Sequence, residues 1–249
     1  ILVGGTVAVS SDVARELQPY AGRVRRIAGE DRYDTASRIA RDAWGSTTVD
    51  EAYVANGEGF PDALGASARA ALEDVPVLLV RRDEVPDVTA NTLDVLGVDE
   101  VTVAGGTTVV SQDVVTRLGA QVGSAVRKAG ADRYATSAAL ADRGGDGRTL
   151  LVATGEAFPD GLAAGSLARR LNADLLLTRP EDVPDVVADR AAELAPRRVY
   201  GMGGMVALQR QTLRTFDQLR TPMTPIFLRP VLLAEDGTEQ GGVVQFTVE

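Results

Sequence analysis

Ala55-Asn56-Gly57-Glu58-Gly59-Phe60-Pro61-Asp62-Ala63-Leu64 decides the fold, because it returns 98 residues later as Ala153-Thr154-Gly155-Glu156-Ala157-Phe158-Pro159-Asp160-Gly161-Leu162. In the first copy a short apolar run, 52–55, predicts a strand, and the loop after it leads into Pro61. Proline suits a first helical position, where its missing N–H costs nothing. Leu64, Ala68, Ala71 and Leu72 then recur at helical spacing. A continuous apolar run, 75–80, follows and predicts a second strand, covered on both faces.

Working outward, strand and helix keep alternating. Upstream, Ala36, Ile39, Ala40 and Ala43 share one helical face, with Gly45 as a stop. Downstream, Pro86 opens a helix ending near Gly97, and 101–104 is a further strand. Ser111, like Ser10 before it, is placed to cap the helix after that strand. Such alternation predicts an α/β fold with a parallel sheet and helices on both faces.

The whole pattern is duplicated. Asp31-Arg32-Tyr33-Asp34-Thr35-Ala36 recurs 101 residues on as Asp132-Arg133-Tyr134-Ala135-Thr136-Ser137, and Val85-Pro86-Asp87 recurs 98 on as Val183-Pro184-Asp185. Gly4-Gly5, Gly105-Gly106 and Gly203-Gly204 each close a β-branched run. The reading is two tandem open parallel-sheet units of about 100 residues, longer than a solenoid repeat. They span 23–123 and 124–220. Residues 1–22 correspond to the last strand and helix of a preceding unit, so the chain reads as a piece of a longer protein. Gln209 and Gln211 replace the serine and aspartate of the earlier helix starts, which predicts a weaker cap. From 221 to 249 the grammar changes to prolines and a period-two stretch at 243–248, read as a linker and a β-hairpin turning around 236–242.

Composition excludes several chemistries. The chain has no His and no Cys, which removes Ser-His-Asp triads, thiolate nucleophiles, zinc fingers and disulfides. Lys128 is the only lysine among 26 basic residues. A net charge of −9 argues against a nucleic-acid partner. No apolar run approaches the roughly 20 residues needed to cross a bilayer, so no membrane insertion is expected. No glycine-rich nucleotide-binding motif is present, and no metal or cofactor is expected. Glu58 with Asp62, repeated as Glu156 with Asp160, makes an unconvincing acid–base pair across one helix start.

R-I-A-G-x-DRYxTA, ANGExFPDAL and V-x-x-GGTxxVS at this period resemble the cell wall-binding repeat 2 family over about residues 1–220. That resemblance implies an open Rossmann- or Toprim-like fold in tandem repeats, usually three about a pseudo-threefold axis. It also implies a location in the cell wall or on the cell surface of Gram-positive bacteria. The implied function is non-catalytic, non-covalent attachment to an anionic cell-wall polysaccharide or teichoic-type polymer. Two full copies, a fragment, and Ser137 in place of alanine are this chain's departures from the pattern.

The DRY segment has two compatible readings. Asp31 and Asp132 cap a helix while Arg pairs locally and Tyr packs; or Arg32 and Arg133 offer a fork to phosphate or carboxylate, with Tyr33 and Tyr134 as stacking faces. Pro61 and Pro159 start helices, and Asp62 and Asp160 favour their positive ends. The Asn56 and Thr154 loops sit at the carboxyl ends of strands, where open α/β sheets bind ligands. The candidate polymer-binding residues are therefore Asp31, Arg32, Tyr33, Thr35, Asn56, Phe60, Asp62, Asp132, Arg133, Tyr134, Thr136, Thr154, Phe158 and Asp160. Two other readings stay open from the residues alone: a surface-layer or filament subunit whose repeats make homo-oligomeric contacts, and a small-molecule-binding or hydrolytic α/β domain.

Overall fold

A computed structural model of the chain describes residues 1–142, 149–219, 224–228, 232–233, 239–240 and 244–245. In chain order the first elements are β1 (Leu2–Val3), α1 (Ser11–Glu16), β2 (Arg26–Ile27), α2 (Arg32–Trp44), β3 (Glu51–Asn56), α3 (Pro61–Glu73), β4 (Val77–Val80), α4 (Asp87–Leu96), β5 (Glu100–Ala104) and α5 (Gln112–Val122). The second repeat supplies β6 (Ser124–Lys128), α6 (Arg133–Leu140), β7 (Thr149–Thr154), α7 (Pro159–Leu162), α8 (Ala164–Leu171), β8 (Asp174–Thr178), α9 (Asp185–Leu194), β9 (Arg198–Met202) and α10 (Arg210–Gln218). Short strands follow: β10 (Thr224–Leu228), β11 (Leu232–Leu233), β12 (Glu239–Gln240) and β13 (Val244–Gln245).

The architecture is α/β with parallel sheets in tandem. One sheet has the order β4-β3-β5-β6 and the other β8-β7-β9-β10-β13. β3 pairs in parallel with β4, and β7 in parallel with both β8 and β9. Each sheet is completed by the strand that follows its double-glycine segment: β6 beside β5, β10 beside β9, and β2 in parallel beside β1. The double glycine makes this possible, since the first glycine of each pair turns through a positive φ of 100° (Gly4), 110° (Gly105) or 106° (Gly203). β10 therefore extends the last sheet in parallel, and β13 of the period-two stretch pairs antiparallel with β10. β11 pairs antiparallel with β12, while most of the turn expected around 236–242 lies outside the described residues.

The chain forms two compact units, and they cut across the repeats. One holds Ile1–Gly59, Val75–Val103 and Thr107–Arg127; the other holds Phe60–Asp74, Ala104–Gly106 and the described residues from Lys128 on. Thus α3 lies in the second unit, where it packs on α6, α8 and β8. The consequence is visible in burial. β8, covered by α3 and α6, is buried at every position, whereas β4 alternates between half-buried and buried. The expectation that the run 75–80 is covered on both faces is corrected on this point: β4 is an edge strand with one covered face.

Each unit has its own core. Val54, Leu78, Leu93, Leu96, Val101, Val114 and Leu118 centre the first, and Leu64, Leu151, Leu176, Leu208 and Phe216 belong to the second. Helix ends follow the sequence with instructive exceptions. The Ser10 hydroxyl accepts from the Val13 N–H at 3.3 Å, but Ser111 and Gln209 make no side-chain cap bond. Gly45 ends α2 in right-handed geometry, and glycine is favoured there by space, since an added Cβ would stand 2.3 Å from the Arg41 carbonyl oxygen. Gly97 closes α4 at φ 70°, and its repeat counterpart Ala195 closes α9 at φ 54°. A left-handed alanine carries about 1 kcal/mol of strain. Ala195→Gly is expected to raise stability by about that much, read as a higher urea midpoint with an unchanged slope.

Candidate functional site

In the first unit the DRY segment is a braced helix start. Asp31 caps α2, its carboxylate accepting from the Asp34 N–H at 2.9 Å, and the Thr35 hydroxyl accepts from the Gly29 N–H at 2.9 Å. Arg32 donates from Nη1 to the carbonyl oxygen of Gly57, in the loop after β3. Asn56 builds that loop: its Oδ1 accepts from the Glu58 N–H at 2.6 Å and its Nδ2 donates to the Val109 carbonyl. Tyr33 is buried against Gly57, where an added Cβ would stand 2.7 Å from the ring. The Arg81 guanidinium covers the ring face, 4.9 Å from its centroid.

The second unit repeats this construction. Asp132 accepts from the Tyr134 and Ala135 N–H groups at 3.0 and 2.8 Å. Arg133 Nη1 donates to the Gly155 carbonyl at 2.6 Å, and the Thr154 hydroxyl accepts from the Glu156 N–H at 3.1 Å. Tyr134 is buried under Arg179, whose guanidinium lies 5.1 Å from the ring centroid. Burial raises the Tyr134 hydroxyl above its usual range, with Glu156 adding to the effect. Neither tyrosine thus presents a free face, while Arg32 and Arg133 are exposed.

Five more candidates lie in this second unit. Phe60 and Phe158, the same position in consecutive repeats, meet with ring centroids 5.7 Å apart and planes tilted by 58°. The Arg133 guanidinium stands 6.0 Å from the Phe60 centroid. Thr136 accepts from the Gly130 N–H at 3.1 Å. Burial raises the Asp62 carboxyl above the usual range, against the opposing pull of Thr136 and Arg133. Asp160 faces Gly203, where an added Cβ would lie 2.3 Å from its Oδ2. The structure so brings together Phe60, Asp62, Arg133, Thr136 and Phe158, with Asp31, Arg32, Tyr33, Thr35 and Asn56 forming their own group in the first unit.

Reading by sequence missed three features. Arg81 and Arg179 stand 98 residues apart and pair with Glu84 and Asp182, so the repeat spacing itself carried that signal. Ser137 has a structural reason: its hydroxyl accepts from the Leu177 N–H at 3.0 Å, satisfying an outward donor of the edge strand β8. The third is a charge cluster under α3. Arg69, 9% exposed, reaches Glu73 at 2.5 Å, Asp142 at 2.7 Å and Asp174 at 3.9 Å, and Lys128 meets Asp142 at 2.5 Å. Burial, opposed by Arg69 and aided by Asp142, pushes the Asp174 carboxyl up to about 6.

A folded-state value above the ordinary carboxylate value means that the folded protein holds the extra proton between about pH 4 and 6. Stability from this group is full below that window and is lost as pH rises through it. The loss should be on the order of 3 kcal/mol, as the rise from 3.8 to about 6 spans roughly two pH units of about 1.4 kcal/mol each. Asp174→Asn should flatten this part of a pH–stability profile measured by urea unfolding and raise stability at pH 7. Among the described residues no group of three or more acidic side chains converges as a metal site, and no helix is long and apolar enough to cross a membrane.

Tandem parallel α/β units, each with a braced arginine at the start of α2 or α6, define a repeat module. The chain belongs to the Cell wall binding domain 2 family, which matches residues 26–115 and 127–213. It is 33% identical over 184 residues to N-acetylmuramoyl-L-alanine amidase LytC of Bacillus subtilis, covering 74% of this chain and 36% of that protein. It is 30% identical over 191 residues to the amidase enhancer of the same organism, covering 74% of this chain and 24% of that protein. Among solved structures, Cwp6 from Clostridium difficile superposes with a TM-score of 0.72 at 25% identity, over 80% of this chain and 33% of that one. Cwp8 from the same organism gives 0.75 at 24% identity, over 87% and 37%. The chain thus spans between about a quarter and just over a third of the length of these relatives, and the shared part is the binding repeats. It is a cell-wall-associated surface module.

Proposed function

We propose that this module holds its protein non-covalently on an anionic cell-wall polymer, a polysaccharide or teichoic-type chain, without catalysing a reaction on it. The sequence repeats, 23–123 and 124–220, would be the units of attachment, with 1–22 the end of a preceding repeat and 221–249 a tail. The observation that supports this is the doubled arginine brace. Arg32 and Arg133 each spend one N–H on a loop carbonyl, and neither forms an ion pair among the described residues. A guanidinium fixed in this way and open to solvent keeps donors for phosphate or carboxylate, with little side-chain freedom left to lose. A net charge of −9 means the attraction is short-range and local.

Co-sedimentation with purified Gram-positive cell walls, intact or stripped of anionic polymers, tests the reading. Retention on intact walls that disappears after stripping is expected. Equal retention on stripped walls would overturn the anionic partner, and turnover of wall fragments would overturn the non-catalytic assignment.

A further inference from the structure

The phenylalanines of the two FPD motifs have unequal fates. Phe60 and Leu64 of the first motif pack into the core of the second unit. Their counterparts Phe158 and Leu162 remain 51% and 66% exposed. Phe158 caps α7 and Leu162 ends it, four residues on, so both lie on one side of that helix turn. Phe60 meets the Phe158 ring in a tilted contact, and Arg133 stands over the Phe60 ring, held by Gly155. An exposed aromatic ring in tilted contact with a second ring, over which a fixed cation stands, has the make-up of a subsite for a ring that carries an anionic group.

We propose that Phe158, in contact with Phe60 and flanked by Leu162, is a stacking platform for one pyranose ring of the polymer, whose phosphate or carboxylate substituent is taken by Arg133. This rests on the attachment reading above and deepens it: the polymer's units here are acidic sugars, as opposed to ring-free polyol phosphates. The apolar face of a pyranose covers the aromatic ring, and the charged substituent supplies the complementarity that Arg133 requires. Tyr134 is not that platform, because Arg179 already covers it.

The test is an NMR titration of the whole chain with glucose 6-phosphate, glycerol 3-phosphate, inorganic phosphate and glucose. Glucose 6-phosphate is expected to bind about tenfold more tightly than the other three, shifting amide signals around Phe158 and Gly155. Phe158→Ala should lower it to the level of inorganic phosphate, and Phe158→Trp should restore it. As Phe158 is half exposed, the alanine variant keeps its fold, checked by an unchanged urea midpoint. Equal binding of all three phosphates, or a Phe158→Ala variant that binds as the parent does, overturns the platform. Wall co-sedimentation separates the two readings: loss of retention on removing Arg32 and Arg133, with full retention in Phe158→Ala, leaves attachment standing and removes the platform alone.

Discussion

Replacing Arg69 by methionine is expected to destabilise the second unit by about 3–5 kcal/mol at pH 7. The guanidinium is nearly buried beneath α3, and its removal leaves Asp174, itself 3% exposed, with its charge poorly compensated. Glu73 loses its partner as well, while Asp142 keeps Lys128. Methionine fills much of the same space, so a lost cavity contributes little. Urea unfolding at pH 7 and pH 5 checks the cause. At pH 5 Asp174 is largely protonated and the cost should shrink. Adding Asp174→Asn should likewise recover a large part of it at pH 7. An equal loss at both pH values, with no rescue, would mean that Arg69 acts by packing and not by charge.

Removal of both braced arginines should almost abolish wall retention. A charge-assisted hydrogen bond is worth about 1–3 kcal/mol. Arg32→Ala and Arg133→Ala should thus each weaken retention by about tenfold or more, and tandem sites reinforce one another through effective concentration. Retention by the parent should also fall as salt rises. Folding is followed by circular dichroism, because each arginine also ties a helix start to a strand-end loop. Unfolded single variants would assign the arginines to bracing alone. A folded double variant with full retention would take the DRY arginines out of the site and leave the family membership untouched.

Much of this was legible because it is local. Pro61 and Pro159 open their helices, and Asp31 and Asp132 cap theirs, since a carboxylate three residues from an unpaired N–H needs no distant partner. The tandem α/β organisation and the family follow from motif spacing. What the spacing left open was whether the DRY arginine braces its own loop or faces a ligand, and the structure shows a brace that keeps the guanidinium exposed.

Sequence by itself determined the elements, their alternation, the repeat and the chemistry that is absent, because periodicity, capping and composition act within a few residues. Tertiary structure alone decided that α3 joins the second compact unit, that of the two edge strands β8 is buried throughout while β4 keeps a half-buried face, and that Arg69 meets Asp142 and Asp174. It also decided that of two phenylalanines in identical motifs Phe60 packs against a core and Phe158 faces solvent. The physical reason is that burial belongs to the neighbour and not to the motif. Two copies of one segment carry the same local preferences, and only the helix or strand that lands on each of them settles which side chains leave water.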